Sequence, residues 1–184
     1  MKLSIKIGIG FAVLWMLFSL TLLGLGISRE GFTVGIFTNV FFLLCAIALG
    51  LYLSRRKDGF QETIGLDDFK TAMQSGIIYT VFIALFVYAY HEYIDTSIRD
   101  YLYEDAMSKA IAAVPDTETF EQLQAEDSTW KRKSYDDYIE NAQDKANTFG
   151  ASAFVAMMHL AGLVFFSFFY SFFVTLVLRK IVLR

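Results

Sequence analysis

Four long apolar runs decide what this chain can fold into. They cover Ile7 to Ile27, Phe32 to Leu53, Ile77 to Ile94 and Ala151 to Leu178. A hydrocarbon core about 30 Å thick is crossed by a helix of about 20 apolar residues. A soluble domain would space its apolar residues at helical or strand period, whereas these stand in unbroken blocks. Inside lipid every backbone N–H and C=O must be paired, which leaves helices or a closed barrel. Barrel strands are about ten residues long and alternate in polarity. The blocks therefore predict four transmembrane helices, the third beginning near Asp68 through a polar lead-in. The expected fold is all-α, a polytopic membrane protein with an extracytoplasmic helical hairpin between spans three and four.

Lys2 and Lys6 before an apolar stretch, with Gly26-Ile27-Ser28 after it, have the look of a secretion signal. The stretch is longer than the roughly 7–15 residues of a signal core, so it is expected to remain as a span. Cys45 is the one cysteine, which rules out an internal disulfide and a Cys-rich zinc site.

Basic residues near span ends mark the cytoplasmic side. Lys2, Lys6, Arg55, Arg56, Lys57, Lys70, Arg179, Lys180 and Arg184 all fall on one side, and the loop between spans one and two holds only Arg29, next to Glu30. Both termini are expected in the cytoplasm, with the chain multi-pass in a bacterial inner membrane. Arg55, Arg56, Lys57, Arg179 and Lys180 are the expected topology anchors at headgroup depth. Asp67 is the expected N-cap of the third helix.

The chain divides into residues 1–94 (spans one to three, with a cytoplasmic loop at 54–70), an insert at 95–150, and residues 151–184 with the fourth span. From Asp95 to Lys145 the insert has 13 acids and 6 bases, a formal charge of −7. Anionic headgroups repel such a segment, and no nucleic acid is expected as a partner. Tyr93, Ile94, Ile98, Tyr101, Leu102 and Ala106 follow helical spacing, so span three is expected to continue unbroken to about Ala113. Pro115 stops it. Thr119 with Gln122 reads as a capping box for a second helix, and Ser134 with Asp137 as the start of a third. Gly150 allows a bend before span four. A unit of this size rarely fills a core alone. The two arms can bury part of their apolar stripe against each other, and Phe120, Leu123, Trp130, Tyr135 and Tyr138 are expected to contact a partner, another membrane or periplasmic protein, in addition to the bilayer.

Tyr52-x-x-x-Arg56, a polar turn with Gly59, then Phe69, Ala72 and Gly76 entering the next span resemble a four-span bacterial membrane-protein family of the Bacteroidota type, domain of unknown function 4199. The acidic insert and Leu178-Arg179-Lys180 fit it as well. Leu66-Asp67-Asp68-Phe69 departs from the shorter, Ser-containing start of that pattern. The family has no assigned activity, so the resemblance implies an architecture and no site residues.

Ionisable residues within spans are costly and raise a functional hypothesis. His91, Glu92 and His159 lie toward one end of spans three and four, and would be the site of a metal or a proton relay. Against this, His91 stands in the interfacial aromatic belt Tyr88-Ala89-Tyr90-His91-Glu92-Tyr93, and neighbours in sequence on a helix point about 100° apart. Gly8, Gly10 and Ala12, and Ala46 with Gly50, read as close-packing positions. The expected function is a non-catalytic accessory or scaffold subunit of an envelope complex, with no cofactor. The alternatives are a small transporter or channel, and an outer-leaflet enzyme acting on a lipid-linked substrate through His91, Glu92 and His159.

Overall fold

The computed structural model describes residues 2–61 and 64–182; Arg184, counted above among the basic residues, lies outside them. The described residues form seven α-helices and no strand: α1 (Leu3–Gly24), α2 (Phe32–Lys57), α3 (Gly65–Ala89), α4 (Ser97–Ala113), α5 (Thr117–Glu126), α6 (Tyr135–Gly150) and α7 (Ser152–Val182). Four stretches are long and apolar enough to cross a membrane: Leu3–Gly24, Phe32–Lys57, Gly65–Ile94 and Ser152–Ile181. This is the architecture of a multi-pass membrane protein. α3 is the central helix, packing against α1, α2 and α7.

In lipid there is little hydrophobic drive between helices, so close backbone approach and interhelical hydrogen bonds hold a bundle together. Ser75 of α3 collects both neighbours. A Cβ added at Gly8 of α1 would sit 2.5 Å from the Ser75 carbonyl oxygen, and one at Gly50 of α2 would sit 2.5 Å from its hydroxyl. That hydroxyl donates to the Ala46 carbonyl at 2.7 Å. Gly10, by contrast, faces open space, so only half of the Gly8/Gly10 pair serves packing. One turn further along α3, Tyr79 donates to the main-chain and side-chain oxygens of Asn39.

The α3–α7 seam has a fixed antiparallel register. Asp68 meets Arg179 at one end, and Thr80 meets Ser167 at 3.3 Å further in. Between these pairs Ala72 and Gly76 recur at four-residue spacing on α3, and Ser171 and Thr175 do so on α7. Ala72, Gly76, Ser171 and Thr175 are buried. Small residues repeating every four positions keep the two backbones close along the whole line.

Span three does not run on into the insert. It ends in a π-helical turn, Tyr90–Ile94, and Asp95 is extended at φ −135°, ψ 94°. The cause is Asp95 itself: its carboxylate accepts the Ser97 N–H at 3.1 Å, the Ser97 hydroxyl at 2.5 Å and the Tyr90 hydroxyl at 3.1 Å. Such short-range bonds compete with continuing the helix and start a new one instead. α4 then stops at Ala113, before Pro115.

Of three further helix starts, those of α5 and α3 differ from expectation and that of α6 follows it. α5 begins at Thr117 with Asp116 as its N-cap, accepting the Thr119 N–H at 2.8 Å, rather than with a Thr119–Gln122 box. Pro115 has already ended α4, so the next side chain able to cap takes the role. α6 begins with a full capping box between Ser134 and Asp137. α3 begins at Gly65, which places Asp67 inside its first turn; there its charge meets the positive end of the helix dipole without capping.

α4 and α6 pack antiparallel into a cap. Tyr138 donates to the Ala110 carbonyl at 3.0 Å, Tyr135 to the Val114 carbonyl at 3.2 Å, and Gly150 lies against the Arg99 backbone. α5 closes the far end. Ala151 alone separates α6 from α7.

Candidate functional site

The five residues expected to meet a partner pack against one another. Phe120 and Trp130 are buried, with Val114, and Leu123, Tyr135 and Tyr138 pack against them. The Phe120 ring lies 6.1 Å from Trp130 and 5.9 Å from both tyrosines. A short 3-10 turn, Ser128–Trp130, makes this possible by folding the chain back after α5. Asp127 accepts the Thr129 N–H at 2.8 Å to start that turn, and the Gln124 amide ties it down by donating to the Trp130 and Lys133 carbonyls. The insert thus fills a core of its own, almost wholly aromatic. Leu123, Tyr135 and Tyr138 are only half-buried and keep an edge on the outer surface of the cap.

That surface is acidic. Asp136, Glu140 and Asp144 recur every four residues on α6 and are exposed, as are Glu118 and Glu121 on α5. Hydrogen bonds from the backbone N–H groups of Thr119 and Thr129, and from the Ser134 N–H, hold the Asp116, Asp127 and Asp137 carboxyls below the usual carboxylate range. These three remain charged to low pH.

The three ionisable residues singled out near spans three and four separate into two places. His91 and His159 line one small cavity of about 50 Å³, together with Trp15, Tyr90 and Ile98. His91 is buried, and its Nδ1 has no hydrogen-bond partner. His159 Nδ1 stands 2.9 Å from the Val155 carbonyl of its own helix. A cavity of this size has room for about three or four waters, enough to bond the orphaned nitrogen. Glu92 is exposed and lines a different groove, because one residue's rotation on the helix carries it away from His91. The set His91, Glu92 and His159 is therefore not one site. Among the described residues no group of three or more His, Cys, Asp or Glu is placed to hold a metal ion.

Asp95, not singled out from sequence, is the acid that belongs with the histidine end of the bundle. Burial pushes its carboxyl up, but the Ser97 hydroxyl and N–H, the Ser28 hydroxyl and the Tyr90 hydroxyl outweigh that and hold it below the ordinary value. The triplet Asp95-Thr96-Ser97 is a recognisable turn and helix-start signal, set inside a segment whose apolar spacing reads straight through it.

At the opposite end of the bundle, Asp68 is buried between two guanidinium groups. Arg55 Nε of α2 lies 3.2 Å from one carboxylate oxygen and Arg179 Nη1 of α7 lies 2.9 Å from the other. Arg55 also donates to the Gln61 carbonyl. Arg55 is 4% exposed, which corrects its reading as a headgroup anchor. It continues the buried series Asn39, Leu43, Ile47 and Leu51 at four-residue spacing, so the bundle interior reaches it. Arg56, Lys57 and Lys180 are off that face and exposed, and Arg179 is half-buried. The three-helix knot at Asp68 is the part of this region that sequence reasoning missed; the spacing of Arg55 was the available signal.

A family model described as a protein of unknown function, DUF4199, matches residues 6–180. No curated protein and no solved structure matches the chain.

Proposed function

We propose that this chain, which belongs to the DUF4199 family, is a non-catalytic accessory subunit of the bacterial inner membrane whose acidic cap docks a partner with a basic surface. One observation carries the reading. The cap is folded by its own aromatic core, so its outward carboxylates form a fixed display. On α6 these carboxylates line up at Asp136, Glu140 and Asp144. Complementary charge across an interface steers encounter and fixes register. The gathering of basic residues at the end of the bundle where α1 begins and α7 ends supports a cytoplasmic placement of that end, and with it an extracytoplasmic cap.

The test is a photo-crosslinking residue at Glu140, activated in intact cells. The expected product is one discrete protein adduct, lost when Asp136→Lys and Asp144→Lys are combined. Absence of any protein adduct from α6 positions, in a chain whose Trp130 signal shows a folded cap, refutes the reading.

A further inference from the structure

A second concavity lies where the cap meets the bundle. It measures about 570 Å³, within the roughly 300–1,000 Å³ of small-molecule sites. Its walls come from the end of span three, from α4, and from the α6–α7 junction. Tyr88 and Glu92 stand just before span three ends at Ile94, and Ser152 is the first residue of span four. The groove therefore opens at the depth where lipid headgroups sit.

Its chemistry is mixed in sign. Arg99 supplies one positive charge, and Glu92 and Asp100 supply two negative ones. Among the described residues none of the three is in an ion pair. Ser152 also lines the groove; it is 3% exposed and its hydroxyl has no hydrogen-bond partner. A buried hydroxyl left without a partner costs free energy, which a ligand oxygen would recover. Tyr88 and Tyr103 add aromatic faces.

We propose that this groove binds the headgroup of a zwitterionic aminophospholipid of the phosphatidylethanolamine class. Arg99 takes the phosphate, for which its planar fork of donors is suited. Glu92 and Asp100 accept from the ammonium, which has three N–H donors, and the tyrosine faces attract the same cation. The Ser152 hydroxyl meets a phosphate or ester oxygen. An anionic headgroup has no positive end to set against the two carboxylates and is disfavoured. The acyl chains have a track below. Val81 and Leu85 lie on the Tyr88 side of α3, Met157 and Leu160 lie on the Ala153 side of α7, and all four are exposed. That apolar track favours a lipid over a free phosphate ester. The inference stands independently of partner docking.

The test uses the whole chain in mild detergent and native mass spectrometry of retained lipid. Phosphatidylethanolamine, phosphatidylglycerol and free O-phosphoethanolamine serve as the probes. Phosphatidylethanolamine should be retained at least about tenfold more tightly than phosphatidylglycerol. Arg99→Gln, and Glu92→Gln combined with Asp100→Asn, should each weaken retention about tenfold, the scale of losing one charge-assisted hydrogen bond. Trp130 emission checks that the cap stays folded; Glu92 and Asp100 are exposed, so their variants keep the test open if Arg99→Gln unfolds. Equal retention of phosphatidylglycerol overturns the proposal, as does unchanged retention in folded variants. Displacement of the lipid by an equal concentration of O-phosphoethanolamine would also overturn it, since the ligand would then be soluble.

Discussion

Replacing Asp68 by Asn should be among the most damaging single changes in the bundle. Asp68 and Arg55 are 2% and 4% exposed, so the Arg55 charge has almost no access to water. Asn keeps the shape and one acceptor but leaves that charge uncompensated. Breaking a buried pair from one side costs about 3–5 kcal/mol. Arg179→Gln removes the other partner of the same carboxylate, yet Arg179 is 38% exposed and Asp68 keeps Arg55. That change should cost about 1 kcal/mol or less, the scale of a solvent-screened pair. The assay is titration of the folded chain from mild detergent into sodium dodecyl sulfate, followed by Trp15 fluorescence in a Trp130→Phe background. Trp15 reports on three helices at once. It belongs to α1, its indole N–H donates to the Gly35 carbonyl of α2 at 3.2 Å, and its ring stands edge-on to Phe86 of α3. A combined Arg55→Leu and Asp68→Leu should recover most of the loss, because apolar replacement removes both buried charges together. Equal shifts for Asp68→Asn and Arg179→Gln, or no shift for Asp68→Asn, would refute the argument from burial.

Phe120→Ala should unfold the cap selectively, costing about 3–5 kcal/mol, seen as a red shift of Trp130 emission with Trp15 unchanged. Gly8→Ala should cost about 1–3 kcal/mol by forcing a methyl group into the Ser75 carbonyl, whereas Gly10→Ala, facing open space, should be neutral in the same detergent titration. The depressed Asp116, Asp127 and Asp137 carboxyls give the cap an acid limit. Their stabilisation is fully present above the ordinary value of 3.8 and is lost as pH falls through the lower folded values. Trp130 emission should therefore hold at pH 5 and fall away below pH 3.8, with a smaller pH-dependent change in Asp137→Asn.

The four spans were legible because lipid imposes one rule on every residue of a span, and length and polarity suffice to see it. Pro115 and Ser134 were legible for a similar reason, as local chemistry acting on the adjacent backbone. The break at Asp95 was not, since Ile94, Ile98 and Leu102 keep helical spacing across it; the competing signal was a carboxylate that gathers four donors, one of them, Ser28, from distant sequence. Arg55 was misread because three basic residues in a row look alike, and only rotation about α2 puts one inside and two out. The aromatic residues of the insert were recognised as needing burial, but a composition poor in aliphatics pointed outward to a partner. Six-ångström ring contacts among Phe120, Trp130, Tyr135 and Tyr138 fill the core instead, and nothing in their sequence order announces that a single 3-10 turn brings them together.

Both helices that carry the cap are interrupted at its base, one at Asp95 and the other at Ala151. Ile98 is 2% exposed where α4 meets the bundle. Beside it the α1–α2 loop reaches up through Arg29, which pairs with Glu104 and covers the Tyr101 ring at 4.9 Å. In mechanical terms the cap is a plate on two adjacent hinges, with Ile98 as pivot and Arg29 as a stay. The stay is a solvent-exposed ion pair, which is weak and screened by salt. A sideways load on the cap would therefore tilt it before it unfolded it, and the tilt would be felt first in the loop between the first two spans.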